Sequence, residues 1–471
     1  MLRELICATK THETNHMPEQ LEFIAGVIEG FYGEPWTQAE RLELFERMTH
    51  WGLNTYFYGP KDDLKHRAIW RDLYTASETE TLSQIITACN QRNLRFIYGL
   101  GPGLDIRYSE EADFAFLNRR FEQMLALGCR NFAVLFDDIP DRMNPNDAQR
   151  FSSVASAQCH LTNALLQATR ARCADVRFFF CPTPYCGRMA EAGLGGVDYL
   201  SILGKELHPD IEIFWTGQEI ISQEITVSSI QTLQGYLRRK PLLWDNLHAN
   251  DYDVRRFFCG PYSGRPIELR EHVSGLMLNA NNEFPLNFIP FHTLAAFVKC
   301  VGPWDPRAAY LDAIQEWLPS FEMIHGSVTS DELILLGDCY YLPLQEGPQA
   351  ELLYNNARIL MGSRTLDWEN AAAEFQRQST QLKAFCVRLT ELRHRRLFYA
   401  LSRRIWELRE ELDFLERYLA FRMTHDAPHP EFNSEFHHWG TYRGGIVPRL
   451  QRLLARQPNG AFQPTEPALR A

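Results

Sequence analysis

Long hydrophobic runs are missing from this chain. The first twenty residues, MLRELICATKTHETNHMPEQ, place Lys10, His12, Glu13 and His16 where a secretory peptide needs an unbroken apolar core. No later stretch has the uninterrupted apolar length that spans a bilayer. A soluble, cytoplasmic protein with no membrane partner is the expectation. Long basic runs are missing from the first 300 residues, and the net charge is -11, so no nucleic-acid partner is expected. Cysteine pairs at ligand spacing are missing as well. The 11 cysteines are odd in number and scattered from Cys7 to Cys386, several inside apolar runs such as Phe178-Phe179-Phe180-Cys181, which reads as buried free thiols. Cys181 and Cys186 have no second Cys or His pair to complete a zinc site. His425, His429, His437 and His438 lack flanking Cys or acids at ligand spacing and read as a loop. Neither a metal nor a cofactor is expected.

What the chain does hold is apolar and aromatic residues, 45% hydrophobic with 30 Phe, 18 Tyr and 10 Trp, ample for packed cores. At 471 residues it is long enough for two or three domains. Strand-like runs recur at Phe23 to Ile28, Asn54 to Tyr58, Arg95 to Leu100, Asn131 to Phe136, Arg177 to Cys181, Ile211 to Trp215, Pro241 to Trp244 and Gly275 to Leu278. Stretches long enough for helices separate them. The first such helix is announced by Thr37 as cap and Glu40 three residues on. Eight alternations over roughly 280 residues predict a (β/α)8 TIM barrel. A doubly wound open sheet is the alternative, but no G-x-G-x-x-G follows the first strand.

Loops after the strands build the active site of such a barrel. Gly30 follows the first strand, Lys61-Asp62-Asp63 the second, Asp105 the third, and Asp137-Asp138 the fourth. Tyr185 follows the fifth, Thr216-Gly217 the sixth, Asn246 to Asp251 the seventh, and Asn279 to Asn282 the eighth. The pair Asp137-Asp138 ends a buried strand, where burial and a neighbouring carboxylate both raise a carboxyl pKa, so that one of the two could hold a proton near neutral pH. Solvated loop acids, or a cap for the next helix, are the alternative. Acids, amides, one lysine and the flat faces of Trp244 and Tyr185 form a sugar-binding set. An Asp-rich pocket could instead take a divalent ion, but Lys61 opposes a cation there.

Beyond Pro303 the pattern turns helical. Leu401, Ile405, Leu408, Leu412, Leu415 and Leu419 alternate in steps of four and three, the seam of a coiled coil or of a long bundle helix. Both an internal bundle helix and a dimer interface fit that seam. The expected organisation is a partly flexible leader over 1–21, the catalytic barrel over 22–302, a stalk-like helical bundle over 303–456 and a flexible tail over 457–471.

The runs GVIEGFYGEPW, NTYFYGPKDDLKHR, LFDDIP, FCPTPYCG, WTG, LLWDNLHANDYD and LNANNEF closely resemble, in this order, glycoside hydrolase family 84, the β-N-acetylglucosaminidases known as O-GlcNAcases. The resemblance covers roughly residues 22 to 300 and, more weakly, the helical region through YYLPLQEGP. Without the acetyltransferase-like domain of the animal enzymes, the chain looks like a bacterial-type homologue. The resemblance implies retaining removal of N-acetylglucosamine from Ser or Thr of O-GlcNAc-modified proteins, or from small glycosides, assisted by the substrate's own acetamido group. It makes Asp138 the general acid and base and Asp137 the acceptor of the acetamido N-H. Asn246 matches the position that bonds the acetamide carbonyl, and Tyr185 the hydroxyl that supports the developing ring. Trp244 walls the methyl group, and the Gly30 carbonyl, Lys61, Asp251 and Asn281 match positions that hold sugar hydroxyls. Asp63, Asp105, Cys181, Thr216 and Gly217 are read as supporting residues. The resemblance also implies a homodimer through the helical region. A non-catalytic sugar-binding module and a hyaluronidase-like glycosaminoglycan hydrolase are the competing functions.

Overall fold

The computed structural model describes residues 23–425, 431–434, 444–465 and 468. The leader over 1–21, His429, His437 and His438 lie outside the described residues. Eight parallel strands close into one barrel in sequence order: β1 (Ile24–Glu29), β2 (Thr55–Tyr58), β3 (Arg95–Leu100), β4 (Asn131–Leu135), β5 (Arg177–Cys181), β6 (Ile211–Trp215), β7 (Leu242–Asp245) and β8 (Gly275–Asn279). Pairing of Ile24 through Ile28 with Gly275 through Asn279 closes the ring. Each strand lies within a residue of its expected bounds, because a strand buried on both faces is a short apolar run that stops at its polar loop.

Alternation within these strands sorts two cores. Ile24, Ile28, Phe57, Ile97, Ala133, Leu135, Phe179, Phe214, Leu242 and Met277 pack inside the barrel. Their sequence neighbours, among them Val27, Tyr56, Phe96, Phe132, Val134, Phe178 and Leu276, pack outward against the helices. Side chains two apart share a face of a strand, so the register of these plugs decides which loop residues point into the barrel mouth. The helix over Gln38–Trp51 begins in the expected capping box of Thr37 and Glu40.

The helical region follows. Leu401, Ile405, Leu408, Leu412, Leu415 and Leu419 lie on the 30-residue helix Arg395–Thr424 and are all buried. That helix packs against the helix Leu366–Arg388, so the seam is used within the chain. Arg404 of the long helix fastens the barrel, with one Nη donating to the carbonyls of Val254 and Arg256 and to Glu283 at 2.6, 3.2 and 2.5 Å. The expected flexible tail is ordered in part. Phe462–Pro464 pairs antiparallel with Leu454–Arg456 around a turn at Gly460, whose φ is +87°. Phe462 stands edge-on to Phe414 at 5.0 Å between ring centres, and that aromatic burial outweighs the polar, turn-rich composition. No described helix is long and apolar enough to cross a membrane.

Candidate active site

Five strands carry their inward register to their last residue or just past it. Gly30 lies two residues after Ile28, Asp137 two after Leu135, Cys181 two after Phe179, Asn246 two after Trp244 and Asn279 two after Met277. All five border a cavity of about 650 Å³ at the barrel mouth, together with Tyr32, Lys61, Asp138, Tyr185, Arg188, Thr216, Glu219, Ile220, Trp244, Asp251 and Tyr252. That size suits a small ligand. A second cavity of about 350 Å³, lined by Leu247, Pro261, Arg307 and Leu342, lies toward the helical region. Two of its charged groups are already engaged, with Asp305 capping a helix and Arg307 paired to Asp338 at 2.6 Å.

Asp138 breaks the alternation. A straight strand would send it outward beside Val134 and Phe136. Its φ of +49°, in the left-handed region that L side chains rarely adopt, turns the carboxylate back to the mouth. There Tyr185 donates to Oδ1 at 2.8 Å and Tyr32 to Oδ2 at 3.2 Å. The two acids therefore face one space although they are neighbours in the chain.

Asp137 has different company. Lys61 Nζ donates to its Oδ2 at 2.6 Å, and the Arg67 guanidinium stands 3.8 Å from the same oxygen. Burial works to raise this carboxyl, but the charges of Lys61 and then Arg67 hold it below the usual carboxylate range. One of the pair is expected to hold a proton near neutral pH, and the neighbouring cations exclude Asp137 from that role. Its Oδ1 is buried without a hydrogen-bond partner among the described residues. Lys61, expected on a sugar hydroxyl, spends one of its three protons on Asp137, and Tyr185, whose hydroxyl is expected to support the developing ring, spends it on Asp138.

The walls are apolar and tightly set. Trp244 meets Phe57 and Phe214 edge-on at 5.1 and 5.3 Å between ring centres, and its Nε1 donates to Asn246 Oδ1 at 3.1 Å. Asn279 Nδ2 donates to the same oxygen at 3.0 Å, and Asn246 Nδ2 donates to the Ile220 carbonyl at 2.9 Å. The amide of Asn246 is therefore clamped with one N-H left over. Gly30 is required by contact, since a Cβ there would meet the Trp244 ring at 2.6 Å. Asp251 accepts from the Tyr32 backbone N-H at 3.0 Å, and burial pushes its carboxyl up.

Eight of the nine expected site residues border the cavity, and Asn281 does not. Asn281 is fully buried, accepting from the Phe258 N-H at 2.9 Å and donating to the Phe258 carbonyl and to Asn287 at 3.0 Å each. The chain has turned away by that position, and the amide ties two loops together. Asn279 takes the place at the mouth, and its Oδ1 is buried without a partner among the described residues. The strand period could have found it, two residues after the inward Met277. Tyr32, two after Gly30, also escaped notice, because an aromatic beside glycines reads as loop packing. Of the supporting residues, Cys181 and Thr216 border the cavity. Asp63 instead accepts from Tyr58 and Tyr74 at 2.9 and 2.7 Å, and Asp105 pairs with Arg71 at 2.6 Å. Among the described residues no group of three or more His, Cys, Asp or Glu could hold a metal ion.

Comparison with known proteins adds the family. A family model described as beta-N-acetylglucosaminidase matches residues 25–335. The Protein O-GlcNAcase of Rattus norvegicus is 45% identical over 277 residues, which are 59% of this chain and 30% of that protein; the Mus musculus protein of the same name gives the same values. The chain thus spans about a third of the length of these relatives. Among solved structures, a mutant O-GlcNAc hydrolase of Thermobaculum terrenum superposes with a TM-score of 0.71 at 27% identity, over 84% of this chain and 82% of that one. Since the family model begins in β1, runs through every strand that feeds the mouth and ends in the helical region, the chain belongs to the β-N-acetylglucosaminidase family of glycoside hydrolases, family 84.

Proposed function

We propose that this chain is a retaining exo-β-N-acetylglucosaminidase, removing O-linked N-acetylglucosamine from Ser or Thr of proteins or from small glycosides. The observation that carries the reading is a pair of orphaned acceptors. Asp137 Oδ1 and Asn279 Oδ1 are buried without partners, and both residues face the same cavity. A buried acceptor left unpaired is costly, and the N-H and hydroxyls of an N-acetylated sugar are the donors that would relieve it.

On this reading Asp138, held by Tyr185, gives its proton to the glycosidic oxygen as the bond from that oxygen to the anomeric carbon breaks. The acetamido carbonyl oxygen of the same sugar closes on the anomeric carbon from the opposite face, forming an oxazoline-type ring. Asp137 accepts the acetamido N-H, and its negative charge, maintained by Lys61 and Arg67, stabilises the positive charge that builds on the ring. Water then attacks the anomeric carbon and passes a proton to Asp138, while the ring C-O bond breaks and the acetamide is restored. Two inversions leave the configuration retained. Because the substrate brings the nucleophile, adjacent acids suffice, and the spacing rule for two enzyme carboxylates does not apply. The free N-H of Asn246 bonds the acetamide carbonyl, Trp244 walls the methyl group, and the Gly30 carbonyl, Lys61, Asp251 and Asn279 hold the hydroxyls. The ten described cysteines are free, which supports the cytoplasm as the compartment. A homodimer through the helical region would need a face other than the Leu401 to Leu419 seam.

Turnover of an aryl N-acetylglucosaminide beside the matching N-acetylgalactosaminide and a glycosylated peptide tests the reading. Asp138→Ala should lose activity strongly with poor leaving groups and weakly with good ones, whereas Asp137→Ala should lose it with all. Tight binding of the sugar without any turnover by the wild type would overturn the enzyme and favour a binding module.

A further inference from the structure

We infer that Arg67 is a positioning residue for the proton donor: its guanidinium holds the backbone turn that aims Asp138 into the cavity. The inference rests on the assignment of Asp138 as general acid made above. Three non-glycine residues among those described have positive φ: Asn93, Asp138 and Arg238. Arg238 is the cap of a helix C-terminus and Asn93 follows one, a routine place for the left-handed conformation. Asp138 instead sits at the top of a barrel strand, where the last sheet rung is the Phe136 N-H donating to the Cys181 carbonyl at 3.0 Å.

Successive carbonyls of a strand point to opposite edges. Those of Asp137 and Asp138 do not. Arg67 Nη1 donates to the Asp137 carbonyl at 3.2 Å and Nη2 to the Asp138 carbonyl at 2.7 Å, so one planar fork takes two consecutive peptide oxygens. That is possible only because the positive φ of Asp138 brings the second carbonyl round to the side of the first. The same turn directs the Asp138 side chain inward. Arg67 is itself buried and lies in the β2 to β3 loop, between Lys61 and the third strand. A guanidinium fits this task where an ammonium would not, since its two N-H groups are set in a rigid plane. A strained backbone at a reacting group persists only where its surroundings over-determine it, and Arg67 supplies that constraint from a neighbouring loop. The carboxylate of Asp138 is then left to Tyr185 and Tyr32, free to exchange its proton.

The test compares Arg67→Met and Arg67→Lys with the wild type on a series of aryl N-acetylglucosaminides differing in leaving-group acidity, with thermal melts run alongside. It reads kcat/KM at a pH above each variant's acid limb, where Asp137 is an anion with or without the Arg67 charge 3.8 Å away. Arg67→Met should lower kcat/KM by about a hundredfold for a poor leaving group, the usual consequence of a misplaced reacting group, and by much less for a dinitrophenyl glycoside that needs no proton. Arg67→Lys, able to reach one carbonyl, should recover about tenfold of that loss. In an Asp138→Ala background Arg67→Met should cost less than about threefold more, because the two changes act through the same proton. Equal loss for all leaving groups, or a full multiplicative loss on top of Asp138→Ala, would overturn the inference. Should Arg67→Met fail to fold, the leaving-group dependence of Arg67→Lys decides by the same criterion. Wild-type turnover with a flat response to Arg67 sinks the positioning role alone, whereas a wild type that turns over none of these glycosides sinks the proposed function and the inference together.

Discussion

Lys61 Nζ lies 2.6 Å from Oδ2 of Asp137, and both side chains are buried at the barrel mouth. The pair joins two strands' worth of loop, and it leaves the other carboxylate oxygen of Asp137 buried without a hydrogen-bond partner among the described residues. A cation so placed keeps an acid charged in surroundings that would otherwise neutralise it.

Replacing Lys61 should therefore move a pH profile in a stated direction. Without the ammonium, burial is opposed by Arg67 alone, so the Asp137 carboxyl rises from its lowered position. Since the proposed mechanism needs Asp137 as an anion, the acid limb of kcat/KM for Lys61→Met should move to higher pH. An unmoved acid limb would mean that Asp137 does not govern it.

The asparagine that ends β8 and the one two residues on should separate activity from stability. Asn279→Ala removes an acceptor without a partner among the described residues and one of the two donors to Asn246 Oδ1, which keeps its bond from Trp244. Its kcat/KM should fall about tenfold or more, the scale of a hydrogen bond or two to substrate, with a smaller change in melting than for Asn281→Ala. Asn281→Ala strands the buried N-H and carbonyl of Phe258, which costs about 1–3 kcal/mol for each such group. Its melting temperature should drop, and kcat/KM at low temperature should fall less than in Asn279→Ala. The reverse pattern would return Asn281 to the sugar site.

Gly30→Ala tests the wall. The added methyl would lie 2.6 Å from the Trp244 ring and 2.8 Å from the Ile28 side chain, so the indole must move into the space the sugar is proposed to fill. Overpacking of this kind costs about 1–3 kcal/mol, and inhibitor binding measured by calorimetry should weaken along with turnover. Unchanged affinity would place the sugar elsewhere.

His248 predicts an acid sensitivity of the fold rather than of the reaction. It is fully buried, it shares a 2.9 Å hydrogen bond with the Gly260 carbonyl, and burial pushes it down to about 4. The unfolded chain takes up its proton near the ordinary value of about 6.5, while the folded chain does not until about 4. Stability present above pH 6.5 or so is then lost as pH falls through that window, at up to about 1.4 kcal/mol per pH unit. Thermal melts of His248→Gln between pH 7 and 4 should show a shallower acid decline than the wild type. An equally steep decline would assign the loss to other groups.

Much of this architecture is legible in the amino-acid sequence. Apolar runs of four to six residues at regular intervals marked the eight strands, because a strand buried on both faces leaves no room for polar residues. Chain order then put the loops after those strands at one end of the barrel. Thr37 and Glu40 marked the first helix, since capping chemistry is local. Residues whose place depends on contacts between distant segments were not readable. Asn279 and Asn281 look alike in sequence, and only the turn after β8 sends one to the mouth and the other to Phe258. The Leu401 to Leu419 seam carries the same spacing whether it meets a second chain or the helix Leu366–Arg388, and packing within the chain settled it. The acids at 137 and 138 were visible as a pair, but not their difference. One is held charged by Lys61 from the second loop; the other is turned inward by a left-handed backbone that Arg67 grips. Electrostatic influence and backbone strain act through space. Sequence alone therefore determined the barrel and the list of candidates, while tertiary structure decided which carboxylate has which partners and which asparagine faces the cavity.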